Sequence, residues 1–286
     1  MEQEIKKVAI EAVKKSAKAL IPRFKNFDRH QVMLKPGKET LTEDDILSQK
    51  IIINEIQNNF IGHNILSEEI GLIDNNSDYL WILDPIDGTT SFTMMSPLWS
   101  ISLAVAQRDS SWPSAADFKK SKEDDGREYD LIFGVVYIPM LDELFVAAKG
   151  QGATVNGRTI HVSNFSSGKT LNAYCHDHSP KELKDVVKYF SYQKAQKTNI
   201  MQLGSASIEL CYIAAGRIET LTVFGANAWD VAAGIMIVRE AGGRVTDFRG
   251  RDWQIGGRQI IASNGKVHKE LLNIINKELK IKKDQS

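Results

Sequence analysis

The stretch W-I-L-D-P-I-D-G-T-T, Trp81 to Thr90, decides how the rest of the chain is read. Leu80 to Leu83 is an apolar run with the character of a buried strand. It drives into two aspartates, Asp84 and Asp87, set three apart around Pro85, which fixes the local backbone. Gly88, Thr89 and Thr90 follow, and N–H groups at a glycine-led helix start receive anions. Taken alone, D-P-x-D reads as a turn at Asp84 with Asp87 capping the next helix. The competing reading is a site that wants a cation on its carboxylates and an anion on its N–H groups.

Other acids share this setting. Glu68 and Glu69 close the short apolar stretch N-I-L-S-E-E and, alone, read as a solvated acidic pair. Asp45 ends Thr42-Glu43-Asp44-Asp45, a capping-box pattern. Asp230 precedes an apolar helix expected over Val231–Ala241, where it reads as a simple N-cap. Each has a structural explanation, yet each lies at a strand end or a helix start. Such ends meet at the mouth of an α/β sheet, where sites form. Two like charges about 4 Å apart cost roughly 4 kcal/mol at an effective dielectric near ~20. Converging acids therefore require divalent cations, and an all-oxygen ligand set selects Mg²⁺ or Mn²⁺ over zinc.

Helical spacing of Ile5, Val8, Ala9, Ala12, Val13, Ala17 and Leu20 predicts an amphipathic helix over residues 3–22. A second is expected from Thr42 to about Phe60. Ser100–Gln107, Leu131–Ile138 and E-L-F-V-A-A-K read as strands, and Asn156–Gly157 as a hairpin turn. A short helix is expected over Ser205–Ala215. The pattern is α/β or α+β in layers. Arg108–Asp130 is polar and charged between two strands and reads as an inserted surface loop anchored by Trp112; residues 281–286 read as a frayed tail. Tyr174–His178, Y-C-H-D-H, fits no familiar zinc spacing and reads as a strand-end loop that could line a pocket. Lys35 and Lys38 read as ordinary loop lysines.

The 286 residues suggest one or two domains, and 42% hydrophobic content supports a sizeable core. Lys+Arg and Asp+Glu are both 36, which argues against non-specific nucleic-acid binding. Two cysteines, Cys175 and Cys211, suit a reducing, cytoplasmic setting. The N-terminus has no apolar signal core, and no apolar run approaches the roughly 18 residues of a membrane span.

Trp81–Phe92, Ser67–Glu69 and W-D-V-A-A-G…E-A-G-G over Trp229–Gly243 resemble the inositol monophosphatase family, and K-G-Q-G-A-T-V-N-G (Lys149–Gly157) resembles its middle hairpin. These are magnesium-dependent, lithium-sensitive phosphomonoesterases related to fructose-1,6-bisphosphatases and bisphosphate nucleotidases. The resemblance implies one catalytic unit with an α-β-α-β-α layered fold, an N-terminal half (1–150) holding most metal ligands, a C-terminal half (151–270) with Asp230, and a homodimer. It implies Glu68, Asp84, Asp87, Asp230 and the carbonyl of Ile86 as ligands for two or three Mg²⁺, with Mn²⁺ a substitute. Glu68, Thr89 and Asp45 would be catalytic, the last two orienting the attacking water, and Glu69 would support the ligands. Gly88 and Thr89 would bind phosphate; Gly204, Ser205, Ala206 and Asp230 would meet the alcohol portion.

The substrate stays open at this level. Inositol-preferring members carry a glutamate seven residues before the Asp230 position, and here that residue is Val223. F-G-A-N-A-W-D resembles bisphosphate nucleotidases, whereas D-G-T-T-S-F resembles the monophosphatases. An inositol-like phosphate, a sugar phosphate and a nucleotide 3′-phosphate are all compatible. The rival class is a non-catalytic binding or regulatory protein on this scaffold, which loss of an acidic ligand would betray; none is lost.

Overall fold

The computed structural model describes residues 1–34, 40–108, 129–166, 170–176 and 180–281. Lys35, Lys38, residues 109–128 of the expected insertion with Trp112, His178, and 282–286 lie outside the described residues. Among the described residues no helix is long and apolar enough to cross a membrane.

Helix α1 (Glu2–Lys25) buries every apolar position expected of it. It runs past the predicted end because Phe24 adds a last anchor, its ring centroid 5.3 Å from Phe92 and 5.5 Å from Trp99. A two-strand ribbon, β1 (Met33–Leu34) with β2 (Thr40–Leu41), leads to α2 (Glu43–Asn59), opened by the Thr42–Asp45 capping box. Next come β3 (Asn64–Ser67), β4 (Gly71–Ile73), β5 (Tyr79–Asp87), the short α3 (Thr89–Thr93), β6 (Ser100–Arg108), β7 (Tyr129–Ile138), β8 (Glu143–Ala148), β9 (Ala153–Val155) and β10 (Arg158–Ile160). These eight strands form one sheet in the order β10-β9-β8-β7-β6-β5-β3-β4. It is antiparallel except where β3 pairs with β5. Asn156 and Gly157 turn the β9–β10 hairpin with φ of 49° and 76°, the left-handed pair such a two-residue turn requires.

The remaining elements are β11 (Leu171–His176), α4 (Pro180–Ala195), β12 (Asn199–Met201), α5 (Ala206–Ala214), β13 (Thr220–Phe224), α6 (Ala228–Glu240), β14 (Arg244–Thr246), β15 (Gln259–Ser263) and α7 (His268–Leu279). The second sheet runs β12-β11-β13-β15-β14. Three apolar clusters define the layers. Helices α1 and α2 cover one face of the large sheet through Trp81, Leu83, Leu103 and Phe133. Helices α5 and α6 are sandwiched between the sheets, meeting Ile82, Ala104 and Val136 on one side and Leu221 and Ile260 on the other. Helices α4 and α7 close the outer face of the small sheet through Tyr189, Phe224, Ile261 and Ile275. The order is α-β-α-β-α, as the resemblance implied.

Two contacts index the middle layer. A Cβ on Gly134 of β7 would lie 2.7 Å from the Ala233 carbonyl, so α6 rests its backbone on the sheet there. A Cβ on Gly234 would lie 2.6 Å from Leu210, so α5 and α6 pack at close range.

Candidate active site

Strand β5 does not stop at Asp84. It continues through Pro85 to Asp87 with a bulge between the two aspartates, the register running Asp84↔Ser102 and then Asp87↔Ser100. Proline lacks an N–H for the ladder, and a bulge accommodates it. The extra residue has a further effect. Side chains three apart on a regular strand face opposite sides, but two partners two apart share a side, so the bulge turns Asp84 and Asp87 the same way. Ser48 Oγ donates to the Pro85 carbonyl at 2.7 Å and secures the bulge from α2.

Around these acids lies a cleft of about 410 Å³. Glu68 enters from the end of β3, where its N–H donates to the Leu83 carbonyl at 3.3 Å. Gly88 and Thr89 open α3, Gly204 and Ala206 flank the start of α5, and Asn227 and Asp230 open α6. Val223, Cys175 and His176 form the wall opposite, so the Tyr174–His178 motif does reach the cleft through its described members. A larger cavity, about 810 Å³, lies between the start of α1 and β6–β8. Its lining includes Ile10, Ile132 and Phe133 but no buried acid, so the chemistry points to the smaller cleft.

Each acid is anchored by local donors. Asp84 Oδ1 accepts from Ile86 N at 3.0 Å. Asp87 Oδ2 accepts from Ser205 Oγ and Ser207 N, both at 2.7 Å. Asp87 therefore bonds the first turn of α5, whose N-cap is Ser205; the N-cap of α3 is Gly88, at φ 91°. Asp230 is likewise not the N-cap of α6. That helix starts earlier, Asn227 is its N-cap, and Asp230 reaches back to accept the Asn227 N–H at 2.7 Å. Asp45 Oδ2 accepts from Thr42 N and Oγ1, both at 2.7 Å. The Thr89 hydroxyl lies 3.3 Å from Asp45 Oδ1 and 3.0 Å from the Ile86 carbonyl. Ser205 is buried beneath the lining, and Glu69 lies in the turn after Glu68. Ser207 is a participant that sequence reasoning missed; only the small-residue run G-S-A-S hinted at a backbone approach.

The acids feel one another. Burial pushes Asp84 well above the usual carboxylate range, and Glu68, Asp87, Asp230 and Asp45 push it further. Burial raises Asp87 against the opposing bonds from Ser205 and Ser207. Burial raises Asp230 too, with Asp87 and Glu68 adding to it and the Asn227 N–H opposing. Burial pushes Asp45 up to about 7, opposed by Thr42 and helped by Glu68 and Glu69. Among the described residues no three His, Cys, Asp or Glu side chains close into a metal cage; the acids share a cleft and a field. Carboxylates plus the Ile86 carbonyl make a hard, all-oxygen donor set, and their mutual repulsion is the kind a divalent cation relieves. The residues fit Mg²⁺ or Mn²⁺.

Two sheets layered between helices, with helix starts opening on an acidic cleft, define the class of scaffold. The chain belongs to the inositol monophosphatase family, whose sequence profile matches residues 1–112 and 128–280. A fructose-1,6-bisphosphatase/inositol-1-monophosphatase of Thermotoga maritima is 34% identical over 239 residues, 84% of this chain and 83% of its own length. A protein of Pasteurella multocida named Nus factor SuhB is 33% identical over 278 residues, 94% of each. Among solved structures, the extragenic suppressor protein SuhB of Bartonella henselae matches with a TM-score of 0.83 at 29% identity, over 96% of this chain and 98% of that one. A Thermotoga maritima IMPase matches with a TM-score of 0.79 at 32% identity, over 98% and 99%.

Proposed function

We propose that the chain hydrolyses a small phosphomonoester to an alcohol and inorganic phosphate, with Mg²⁺ as cofactor. The observation that carries this is the meeting of Glu68, Asp84, Asp87 and Asp230 with three helix starts in one cleft. Glu68, Asp84, Asp87, Asp230 and the Ile86 carbonyl would hold the cations. The chemistry that bound Mg²⁺ supplies is activation of water near neutral pH and neutralisation of phosphoryl oxygens.

The chain's own groups do the rest. The Thr89 hydroxyl has one proton and two acceptors, Asp45 Oδ1 and the Ile86 carbonyl. Donating to Asp45 leaves the lone pairs of the hydroxyl to accept a hydrogen bond from the attacking water, which orients that water. Asp45, raised to about 7 by burial, is matched to receive a proton near neutrality. Gly88 and Thr89 N–H groups receive phosphoryl oxygens, and the starts of α5 and α6 add positive potential. Glu69 supports the acids from the adjacent turn. Gly204, Ala206 and Asp230 meet the alcohol, while Ser205, buried behind them, holds Asp87. With Val223 in the wall, a sugar phosphate or a 3′(2′),5′-bisphosphate nucleotide fits this reading alongside inositol phosphate. The family likeness extends it to a homodimer acting in the cytoplasm, residues 1–150 and 151–270 forming one catalytic unit inhibited by Li⁺.

The name Nus factor, carried by a relative covering 94% of the chain, favours a second reading, a partner-binding protein on this scaffold. One experiment separates them: release of phosphate from a panel of small phosphomonoesters with Mg²⁺ and with excess EDTA. The hydrolase reading expects Mg²⁺-dependent release from at least one ester. No release from any, or full release in EDTA, would remove it.

A further inference from the structure

Helix α5 holds a fully buried carboxylate that the chemistry above does not use. Glu209 Oε1 accepts the Leu203 N–H at 2.6 Å. The Gly204 N–H adds to that hold, while Oε2 is enclosed without a hydrogen-bond partner among the described residues. Burying an acid is costly unless backbone or charge compensates it. Here the compensation comes from two N–H groups of a single turn, six and five positions upstream.

That turn feeds the cleft. Gly204 takes the left-handed region at φ 87°. A Cβ on Gly88 would lie 3.2 Å from the Gly204 carbonyl and 3.3 Å from Ser205 Cβ, so the turn rests on the backbone of the cleft floor. Its continuation supplies Ser205 Oγ and Ser207 N, the two donors on Asp87 Oδ2. A connected path therefore runs from Glu209 through the Leu203–Ser205 turn to the Asp87 carboxylate.

We infer that Glu209 is a positioning residue, which sets the Leu203–Ser205 turn from inside α5 and thereby aims Asp87 at the cation. Glu209 is buried and does not line the cleft. The inference rests on Asp87 being a metal ligand. Its control is Glu240, which accepts Gly150 N at 2.9 Å and Gly152 N at 2.8 Å. Glu240 performs the same backbone-holding task at the opposite end of α6 from Asp230.

The test is a Mn²⁺ titration followed by electron paramagnetic resonance on the full chain, with thermal melts alongside. Glu209→Met removes the acceptor and keeps the length; Mn²⁺ affinity is expected to fall about 10- to 100-fold, as for other residues that orient ligands. Glu209→Gln keeps a carbonyl oxygen for Leu203 and is expected to stay within about threefold of wild type. Glu240→Met is expected to lower the melting temperature and leave Mn²⁺ affinity unchanged. Wild-type affinity in Glu209→Met, or an equal loss in Glu240→Met, overturns the inference. Should Glu209→Met fail to fold, Glu209→Asp withdraws the carboxylate by one methylene and carries the same expectation. Wild-type protein that binds Mn²⁺ but releases no phosphate defeats the proposed hydrolase and leaves this inference standing; wild-type protein that binds no Mn²⁺ defeats both.

Discussion

The Ser207 N–H donates to Asp87 Oδ2 at 2.7 Å across 120 positions of chain. The bond joins the end of β5 to the first turn of α5, so the large sheet and the middle helix layer meet at a carboxylate of the cleft. Asp87 does satisfy an N–H at a helix start, but that of a helix brought to it by the fold.

That contact shapes what Asp87→Asn does. The amide oxygen can still accept from Ser205 and Ser207, so both bonds survive while the charge is lost. Phosphate release is expected to fall by about 100-fold or more, beyond the loss typical of residues behind the ligands. Melts in EDTA are expected to show no loss of stability and a gain of roughly 1 kcal/mol, because a buried, repelled carboxylate has been neutralised. A variant with near-normal activity and a stability loss would mean that Asp87 serves only as a cap.

Thr89→Val removes the hydroxyl between Asp45 and Ile86 and keeps the shape. Activity is expected to fall by about 10²–10⁴, the range for a lost proton-transfer partner. The melting temperature should barely move, since Thr89 is part-exposed, and Thr89→Ser should restore most of the rate. Equal activity in Val and Ser variants would show that the hydroxyl has no part in the reaction.

Gly134→Ala puts a methyl 2.7 Å from the Ala233 carbonyl, where only backbone can yield. A destabilisation of about 1–3 kcal/mol is expected. Ala233 sits three residues beyond Asp230 on α6, so the lifted helix should also carry Asp230 away and reduce phosphate release. Urea unfolding and the activity assay check the two effects separately, and an unchanged midpoint would contradict the close approach.

His268 gives a pH dependence with a definite sign. Thr246 Oγ1 donates to the Asp247 carbonyl at 2.9 Å and so accepts from His268 Nε2 at 2.9 Å; Ser263 Oγ then donates to His268 Nδ1 at 2.9 Å. That pattern assigns the neutral, Nε2-protonated ring. Burial, with Arg244 adding to it, lowers the pKa from 6.5 to about 4. The unfolded chain binds this proton more readily, so the contribution is whole above 6.5 and is lost as pH falls towards about 4. Between pH ~7 and ~5, wild type should lose more urea stability than His268→Gln. Parallel pH profiles in the two proteins would sink the assignment.

Much of this was legible in the residues. Helical spacing predicted the buried face of α1, Asn156–Gly157 predicted its hairpin, and Thr42–Asp45 predicted the capping box that opens α2. The acids were legible as a set because each sits at an element end. The bulge was not, since Pro85 is as compatible with a strand end as with a strand that bulges and continues. Ser207 was invisible because its N–H meets a partner 120 positions away, and Glu209 because it acts on backbone N–H groups that no side-chain pattern announces. Asp230 was misplaced by one helical turn because two acceptable caps compete there, and Asn227, three positions earlier, is the one that opens the helix. The apolar faces of α4 and α7 are periodic in the sequence as well, but the sheet they cover is built of short strands that carry little signal.

Asp87 accepts the N–H of the second residue of α5, and Asp230 is the third residue of α6. Each helix start carries the equivalent of about half a positive charge. Two of the four acids are thus partly balanced by permanent dipoles that no chelator can remove. A zinc finger cannot hold its shape without its ion, whereas this chain carries a counterweight within its own backbone. The fold of the sandwich is therefore expected to survive chelation, with any divalent cation of the cleft added to a scaffold already standing.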